Sequence, residues 1–343
     1  SICRTLQIAP SAYRRYAARL RNPALRSLRS QRDTLLVPQV HRVWQHNFQV
    51  YGADKVWQQL RREFFANKLA VAGLVLLLLA IAVAVFAPWI SPQNPYDIGK
   101  LDIFDSKLPP GSKSADGKML YLLGTDGQAR DLLSAIFYGL RTSLMVGGFS
   151  VAAALAIGSI VGLAAAYFGG WIDALLMRIV DIQLSFPAIL VALILLAILG
   201  KGVDKVIIAL IIVQWAYFAR AARGAALVER GKEYVEAAQC MALGAPRVLL
   251  GHMLPNCMPP LIVIATIDLA HAIALESTLS FLGVGVPVTE PSLGMLIANG
   301  FEFMLSGHYW ISFFPGIALA LAIVGINLVG DHLRDILNPH NSH

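Results

Sequence analysis

Charged residues are scarce in this chain, and their scarcity excludes most soluble folds. Of its 343 residues, 14% are charged and 57% are hydrophobic, and the mean hydropathy is +0.61. A soluble domain carries about 25% charged residues. We therefore expect lipid, rather than water, to surround most of the chain.

The sequence also lacks the patterns typical of catalytic, metal and disulfide sites. Its three cysteines show no CxxC spacing, and its eight histidines form no HxxxH or HExxH pair. The stretch from Gly111 to Lys118 resembles a phosphate-binding loop. However, five residues separate its glycines instead of four, and Met119 replaces the Ser or Thr that the loop needs. We expect no catalytic residue, metal site or bound cofactor, and no hydrolysis by this chain.

Long uncharged runs dominate the rest of the sequence. They cover residues 69–96, 142–172, 182–200, 206–219, 248–267 and 303–330. A membrane-spanning helix needs about 20 mostly apolar residues, so the first, second, third and last runs are long enough alone. The fourth run, with 14 residues, is the weakest, and the fifth has to accept Asp268 and Glu276 to reach Phe281. We predict an all-α membrane protein with six transmembrane helices.

Basic residues predict the orientation of these spans. Short loops rich in Lys and Arg stay in the cytoplasm, and five such residues lie within 220–247. An even number of spans brings both termini to the side of this segment, which we place in the cytoplasm. Residues 63–96 then form a cytoplasmic lead-in and the first span. Residues 97–141 form a periplasmic loop and the lead-in to span two, and residues 142–339 form the core domain.

Three acids fall at membrane depth, namely Asp181 in the third span and Asp268 and Glu276 in the fifth. Acids at such positions usually face a cavity or a partner, so they are candidates for a polar translocation path. Arg178 and His271 each stand three residues from one of the acids and give it a neighbour on its own helix. This spacing favours groups that hold helices in register over groups that line a path.

A GxxxG pattern lies in the second run, at Gly158 and Gly162. Glycines four residues apart let another helix backbone approach closely. The pattern fits packing inside the chain as well as a specific dimer face.

The stretch "KEYVEAAQCMALGAPRVLLGHMLPN", residues 232–256, interrupts the hydrophobic pattern with charges, glycine and proline. Its first ten residues favour a helix, which we expect Gly244 to end at the C′ position. Pro246 then opens a second short helix, and Pro255 ends that helix before span five. Tyr234 and Met241 would be apolar anchors about two turns apart for docking into a groove. An ordinary solvated loop between two spans fits the same pattern.

Glu236-Ala237-Ala238, followed by Leu254-Pro255-Asn256, resembles the EAA loop of bacterial ABC-importer permeases, where this loop is a coupling helix that sits in a cleft on a separate ATPase subunit. One departure is Ala242, which stands where the family usually has glycine, so the helix is expected to run half a turn further. The resemblance implies ATPase coupling by Tyr234, Glu236, Ala237, Ala238, Met241, Ala242 and Gly244.

Three further segments resemble the dipeptide and oligopeptide permeases of this family. They are "LGTDGQARDLLSAIFYGLRTSL" (123–144), with Ala129 in place of a family glycine, "ESTLSFLGVGVPVTEPSLGMLI" (276–297) and "FFPGIALALAIVGINLVGDHLRDILNP" (313–339). The resemblance covers about residues 63–343. It implies the fold of type I ABC-importer permeases, a bacterial inner-membrane location and half of a translocation pathway.

The same resemblance implies the partners: a second permease subunit, two ATP-binding subunits that use the ATP, a periplasmic substrate-binding protein and membrane lipid. The cargo would be dipeptides or oligopeptides. Nickel chelates or glutathione, which related permeases carry, are an alternative cargo. An ion-coupled secondary transporter using the three membrane acids is the alternative mechanism, but the internal repeats typical of that class are not evident in the sequence.

The first 62 residues form a basic extension of a different kind. They hold 12 Lys and Arg against two acids, whereas the remainder holds 16 against 19. The phrase "YGADKVWQQLRRE" within them resembles the N-terminal DNA-binding part of an insertion-sequence transposase, which implies a small helical segment. We interpret it as a fused or vestigial fragment with no functional nucleic acid. A basic arm on anionic lipid and weak DNA binding through phosphates are the alternatives.

Deletion of residues 2–60 should leave transport unchanged, because the fragment is not expected to take part in it. Uptake by cells that carry the shortened chain, at matched amounts of inserted protein, measures this. Lost uptake despite normal insertion would contradict the fusion hypothesis.

Overall fold

The computed structural model describes residues 65–97, 99, 101–241, 243–287 and 289–337. The basic extension, residues 1–62, lies outside them, and so does Ala242. The described α-helices are α1 (Lys68–Ile90), α2 (Leu132–Phe168), α3 (Gly170–Leu184), α4 (Ala188–Leu199), α5 (Val203–Arg230), α6 (Glu233–Cys240), α7 (Ala245–Val248), α8 (Leu254–Phe281), α9 (Leu293–Phe301) and α10 (Trp310–Leu337). A π turn, Leu249–Met253, joins α7 to α8.

Short elements complete the described chain. Two 3-10 turns cover Ile103–Asp105 and Met304–Ser306. Strands β1 (Ser112–Lys113) and β2 (Leu120–Tyr121) form an antiparallel hairpin in which Ser112 pairs with Tyr121. The hairpin contains the near match to a phosphate-binding loop. Gly111 and Gly117 stand at φ values of +81° and +73°, so these glycines serve a β-turn geometry and do not lead into a helix.

Within the described residues, five helical runs are long and apolar enough to cross a membrane. They are α1, α2, α5, the run Ala245–Phe281 and most of α10. Helices α3 and α4 together make a sixth candidate, bent by 86°. In the core, α2 packs along α5 and α8, and α1 packs against α10. The predicted all-α membrane fold is confirmed.

The third and fourth spans differ from the prediction made from their lengths: the third is broken, and the fourth is continuous. The third run, which seemed long enough alone, breaks between Leu184 and Ala188, where Pro187 adopts an extended backbone with ψ 127°. Proline lacks the N–H of a helix interior and disfavours helix at the residue before it. The fourth run, predicted to be the weakest, is the continuous 28-residue helix α5. At the C-terminal side of the run, two arginines of α5 pair with acids of α3.

The corner after α6 also differs from the prediction. Helix α6 ends at Cys240, and the backbone N–H of Leu243 donates to the carbonyl of Ala238 over 3.2 Å. Gly244 has φ −60° and is the N-cap of α7, so it does not take the left-handed C′ conformation that was expected. Pro255 does not end a helix either. It lies in the first turn of α8, directly after the π turn, and the helical run continues through it.

The GxxxG pattern is used inside the chain. A Cβ built on Gly158 would lie 2.5 Å from the carbonyl oxygen of Trp215, and one built on Gly162 would lie 2.7 Å from Cβ of Ala222. Both neighbours belong to α5. Bare glycine backbone therefore lets α2 and α5 approach more closely than any side chain would allow, and the packing interpretation holds for this contact.

Gly158→Ala should destabilise the protein by about 1–3 kcal/mol, because the added methyl group overpacks the contact with α5. Gly148→Ala in the same helix is the matched control, since no atom lies within 4 Å of its added Cβ. This control should be neutral or more stable by about 0.5–1 kcal/mol. Thermal unfolding of both variants in the same detergent measures the difference, and equal melting temperatures would contradict the packing argument.

Ala129 adopts a backbone conformation that is unfavourable for a residue with a side chain. Its φ is +62°, a left-handed conformation that costs a residue with a Cβ about 1–2 kcal/mol. Ala129→Gly should therefore be nearly neutral, because relief of this cost offsets the lost methyl burial. The buried Ala135 of α2 has no such compensation, and Ala135→Gly should cost about 1–2 kcal/mol. Thermal unfolding measures both variants. A larger loss of stability for Ala129→Gly than for Ala135→Gly would contradict this prediction.

Candidate functional site

Helix α6 is a short helix between two candidate spans. Its first turn carries Glu233 and Glu236, and acids near a helix N-terminus interact favourably with the helix dipole. The carbonyl of Lys232 accepts from the N–H groups of Val235 and Glu236 over 3.0 and 3.4 Å. Eight residues are marginal as an isolated helix, so contacts with the rest of the protein have to hold α6 in place.

The inner face of α6 supplies those contacts. Val235 and Ala238 are 0% and 3% exposed. They belong to a cluster with Leu163 and Ala166 of α2, Ala222 and Ala226 of α5, and Val248, Met253, Cys257 and Leu261 from the run through α8. Three long helices thus meet beneath α6. A displacement of the short helix has to move side chains of all three, since a close-packed interior transmits strain.

A polar link joins α6 to the end of α5. The hydroxyl of Tyr234 donates to Oε2 of Glu229 over 2.8 Å, and Lys232 Nζ lies 2.6 Å from Oε1 of the same carboxylate. Desolvation first, and then donation to this carboxylate, raises the pKa of Tyr234 to about 12. The phenol therefore remains a hydrogen-bond donor throughout the physiological range.

The outer face of α6 is a continuous exposed stripe. Glu233, Glu236, Ala237, Cys240 and Met241 are all exposed, and they follow the i, i+3, i+4, i+7, i+8 spacing of one helix side. Met241 is 67% exposed. The stripe combines two carboxylates with a small residue and a flexible apolar one, which suits docking into a groove of another protein.

The predicted coupling residues divide between these two faces. Glu236, Ala237 and Met241 point outward, and Gly244 is exposed before α7. Ala238 faces inward. Tyr234, expected to be an outward anchor together with Met241, is instead half-buried against the cluster beneath α6. Ala242 lies outside the described residues.

The three membrane acids have three different environments. Asp181 does not pair with Arg178 of its own helix. Its Oδ1 lies 2.6 Å from Nη2 of Arg220 on α5, and both side chains are 57% exposed. A second pair joins the same helices, because Arg223 donates to both carboxylate oxygens of Asp173 over 2.5 and 2.6 Å. These pairs attach the α3 half of the bent span to α5.

Glu276 is fully buried and is satisfied by hydroxyl groups. Ser143 of α2 donates to its Oε2 over 2.8 Å, and Ser280 donates to its Oε1 over 2.8 Å. Hydroxyl donors compensate a buried carboxylate. The arrangement joins α2 to α8.

Asp268 lies at a cavity of about 630 Å³. Its lining comes from α4, α5 and α8: Ala188, Ile189, Val213, Gln214, Tyr217, Ile264, Ile267, Asp268, His271, Ala274, Leu275 and Thr278. Oδ2 of Asp268 is buried, and no donor in the described part of the chain reaches it. The expectation that His271, three residues on, would satisfy this acid is wrong for that oxygen.

Comparison with known families identifies the family to which this chain belongs. The family model for the binding-protein-dependent transport system inner membrane component matches residues 154–343, more than half of the chain. The chain belongs to this family of permeases. It is therefore a multi-pass inner-membrane component of a transport system that depends on a binding protein. A second model, the N-terminal transmembrane domain of oligopeptide transport permease C, matches residues 55–110 and begins inside the predicted transposase-like segment.

Curated relatives match nearly the whole permease. It is 37% identical to the di/tripeptide transport system permease protein DppC of Pseudomonas aeruginosa, over 86% of this chain and 97% of that protein. It is 40% identical to the dipeptide transport system permease protein DppC of Escherichia coli, over 82% and 92%. A putative peptide transport system permease protein of Brucella suis is 41% identical, over 78% and 86%.

Among solved structures, a chain of the methionine ABC transporter MetNI in an inward-facing form aligns with a TM-score of 0.44 and 20% identity, over 60% of this permease and 95% of that chain. The sequence relatives and the family models, and not this alignment, establish the family.

The contacts of several residues of the site could not be predicted from local sequence patterns. Glu229 lies at the end of a candidate span, and its bond to Tyr234 depends on how α6 turns back under α5. Arg223 and Asp173 are 50 residues apart, beyond any local pattern. Gln214 sits in an apolar run, where its place in the cavity depends on the rotation of α5. The short spacing of Glu229, Lys232 and Tyr234 was the one available clue.

Tyr234→Phe should lower stability by about 0.5–1.5 kcal/mol, the usual contribution of one hydrogen bond, while Glu229 keeps its contact with Lys232. Tyr217→Phe is the matched control, because the structure shows no hydrogen bond from the Tyr217 hydroxyl. Melting temperatures in one detergent test the pair. Equal shifts for the two variants would contradict the link from α6 to α5.

Proposed function

We propose that this permease forms half of the translocation pathway of an ATP-driven importer for dipeptides or oligopeptides. A second permease subunit completes the pathway, two ATP-binding subunits use the ATP, and a periplasmic binding protein delivers the cargo. The peptide cargo is supported by the names of the relatives from Pseudomonas and Escherichia. The chain itself hydrolyses nothing and acts as the moving wall of the pathway.

The two faces of α6 are the observation that carries this proposal. One face is exposed and offers Glu236, Ala237 and Met241 to another protein. The other face is packed into α2, α5 and the run through α8. A helix with this arrangement can pass a push from a docked ATPase to three spans at once. Tyr234 and Ala238 belong to the transmitting face, and Glu236, Ala237 and Met241 to the receiving one.

The length of α2 supports the proposed orientation. This helix has 37 residues and is about 55 Å long at 1.5 Å per residue, which exceeds a bilayer core of about 30 Å. Its N-terminus follows the β-hairpin, whereas Leu163 and Ala166 near its C-terminus contact α6. The hairpin and α6 thus lie on opposite sides of the membrane. With α6 in the cytoplasm, the hairpin is periplasmic and both ends of the chain are cytoplasmic.

Ala237→Lys tests the coupling role most simply, because it places an ammonium group on the receiving face and leaves the packed face intact. An unpaired charge buried in a docking groove costs several kcal/mol. Uptake of a dipeptide should fall at least about ten-fold, and the ATPase should co-purify in lower amount.

Ala115→Lys is the control, since Ala115 is also exposed but lies in the hairpin on the other side of the membrane. It should keep the ATPase bound. Full uptake and normal co-purification with Ala237→Lys would refute the docking role of α6.

A further inference from the structure

The cavity beside α5 has the size and shape of a small-molecule site. Its volume of about 630 Å³ falls within the range of about 300–1,000 Å³ that is usual for ligand pockets. Helices α4, α5 and α8 form its walls, one side is open, and most of the residues lining it are apolar. Such pockets obtain specificity from a few polar groups that fix the orientation of the ligand.

Asp268 is the acidic group of this cavity, which it lines together with His271, and its Oδ2 accepts no hydrogen bond from the described residues. Neither Lys nor Arg is among the described residues that line the cavity, and Oδ2 has no donor. The ion pairs of α5 engage Asp173 and Asp181 instead. A carboxylate in an apolar enclosure costs several kcal/mol unless a cation or donors compensate it. A positively charged group bound in the cavity would therefore interact favourably with Asp268.

Gln214 adds a second acceptor on the α5 wall. Its side chain is 3% exposed, and its Oε1 is buried without a donor. Glu276, by contrast, is a buried acid whose oxygens accept hydrogen bonds from serine hydroxyls. An ammonium group carries three N–H donors and no acceptor. It is a ligand chemistry that supplies the donors which these two residues of the cavity lining lack.

We propose that this cavity binds the cargo peptide through its amino-terminal ammonium group, with Asp268 as the charged partner and Gln214 as a second acceptor. The apolar lining receives the first side chain of the peptide. This inference rests on the proposed function as a peptide importer and adds a specificity site within the membrane subunit.

A lysine or arginine of the second permease subunit is the rival partner for Asp268. The cavity is far larger than one such side chain needs, and three helices of this one chain form its walls. Those features favour a separate molecule as the occupant. The two sources of positive charge can be distinguished through assembly. If Asp268 paired with a side chain of the second permease subunit, the two subunits would need Asp268 to assemble, whereas peptide binding would not require this.

The experiment uses the assembled importer without its binding protein and with Ala274→Cys as a reporter in the cavity. The rate at which N-ethylmaleimide labels position 274, followed by peptide mapping and mass spectrometry, reports occupancy. The two probes are L-alanyl-L-alanine and its N-acetyl derivative, which lacks the ammonium group. We expect the free dipeptide to slow labelling at a concentration about ten-fold or more below that of the acetylated one, the factor for one charge-assisted hydrogen bond.

Asp268→Asn should abolish the preference for the free dipeptide, whereas Asp181→Asn, which removes a paired acid outside the cavity, should keep it. Equal protection by the two probes, no protection by either, or a preference that survives Asp268→Asn would overturn the proposal. Loss of the second permease subunit from the Asp268→Asn complex would overturn it in favour of an ion pair between subunits. Failure of the proposed importer function would be seen separately from failure of the cavity proposal. In that case the unaltered importer would neither hold an ATPase nor take up the dipeptide.

Discussion

The close contact between α2 and α5 fixes the position of the helix that contacts α3, the cavity and α6. It depends on Gly158 and Gly162, where added Cβ atoms would meet the backbone and side chains of α5. Helix α5 carries Arg220 and Arg223 toward α3, Gln214 toward the cavity, and Glu229 toward α6. Because one helix holds all these groups, a shift of α5 against α2 changes the cavity and the α6 contacts together.

This arrangement gives a physical route from the exposed face of α6 to the cavity beside α5. A push on the exposed stripe of α6 reaches α5 through the Tyr234–Glu229 hydrogen bond and the apolar cluster under Val235. Arg230 adds a bond from its Nη1 to the carbonyl of Ala166, which ties the ends of α5 and α2 together. At the other end of the route, Gln214 of α5 and Asp268 of α8 line the same cavity. Movement of α5 relative to α8 alters that cavity directly.

The sequence predicted the parts of this structure that depend on composition and local pattern. Long apolar runs identified the spans, and the helix-forming residues that follow Lys232 predicted α6, although not its end. Length failed for the third and fourth spans, because Pro187 breaks one and pairing with Asp173 and Asp181 supports the other. The direction of Tyr234 and the isolation of Asp268 depend on helix rotation and on contacts across tens of residues, which periodicity does not reveal.

The exposed face of α6 is proposed to contact an ATP-binding subunit, and Cys240 allows this contact to be measured directly. This native cysteine is exposed on that face, whereas Cys257 is buried. A short thiol-to-amine cross-linker applied to the assembled importer should join Cys240 to the ATP-binding subunit, and Cys240→Ser should abolish the product. A Cys240 that reacts as freely in the assembled importer as in the isolated chain, with no cross-linked ATP-binding subunit, would contradict the account.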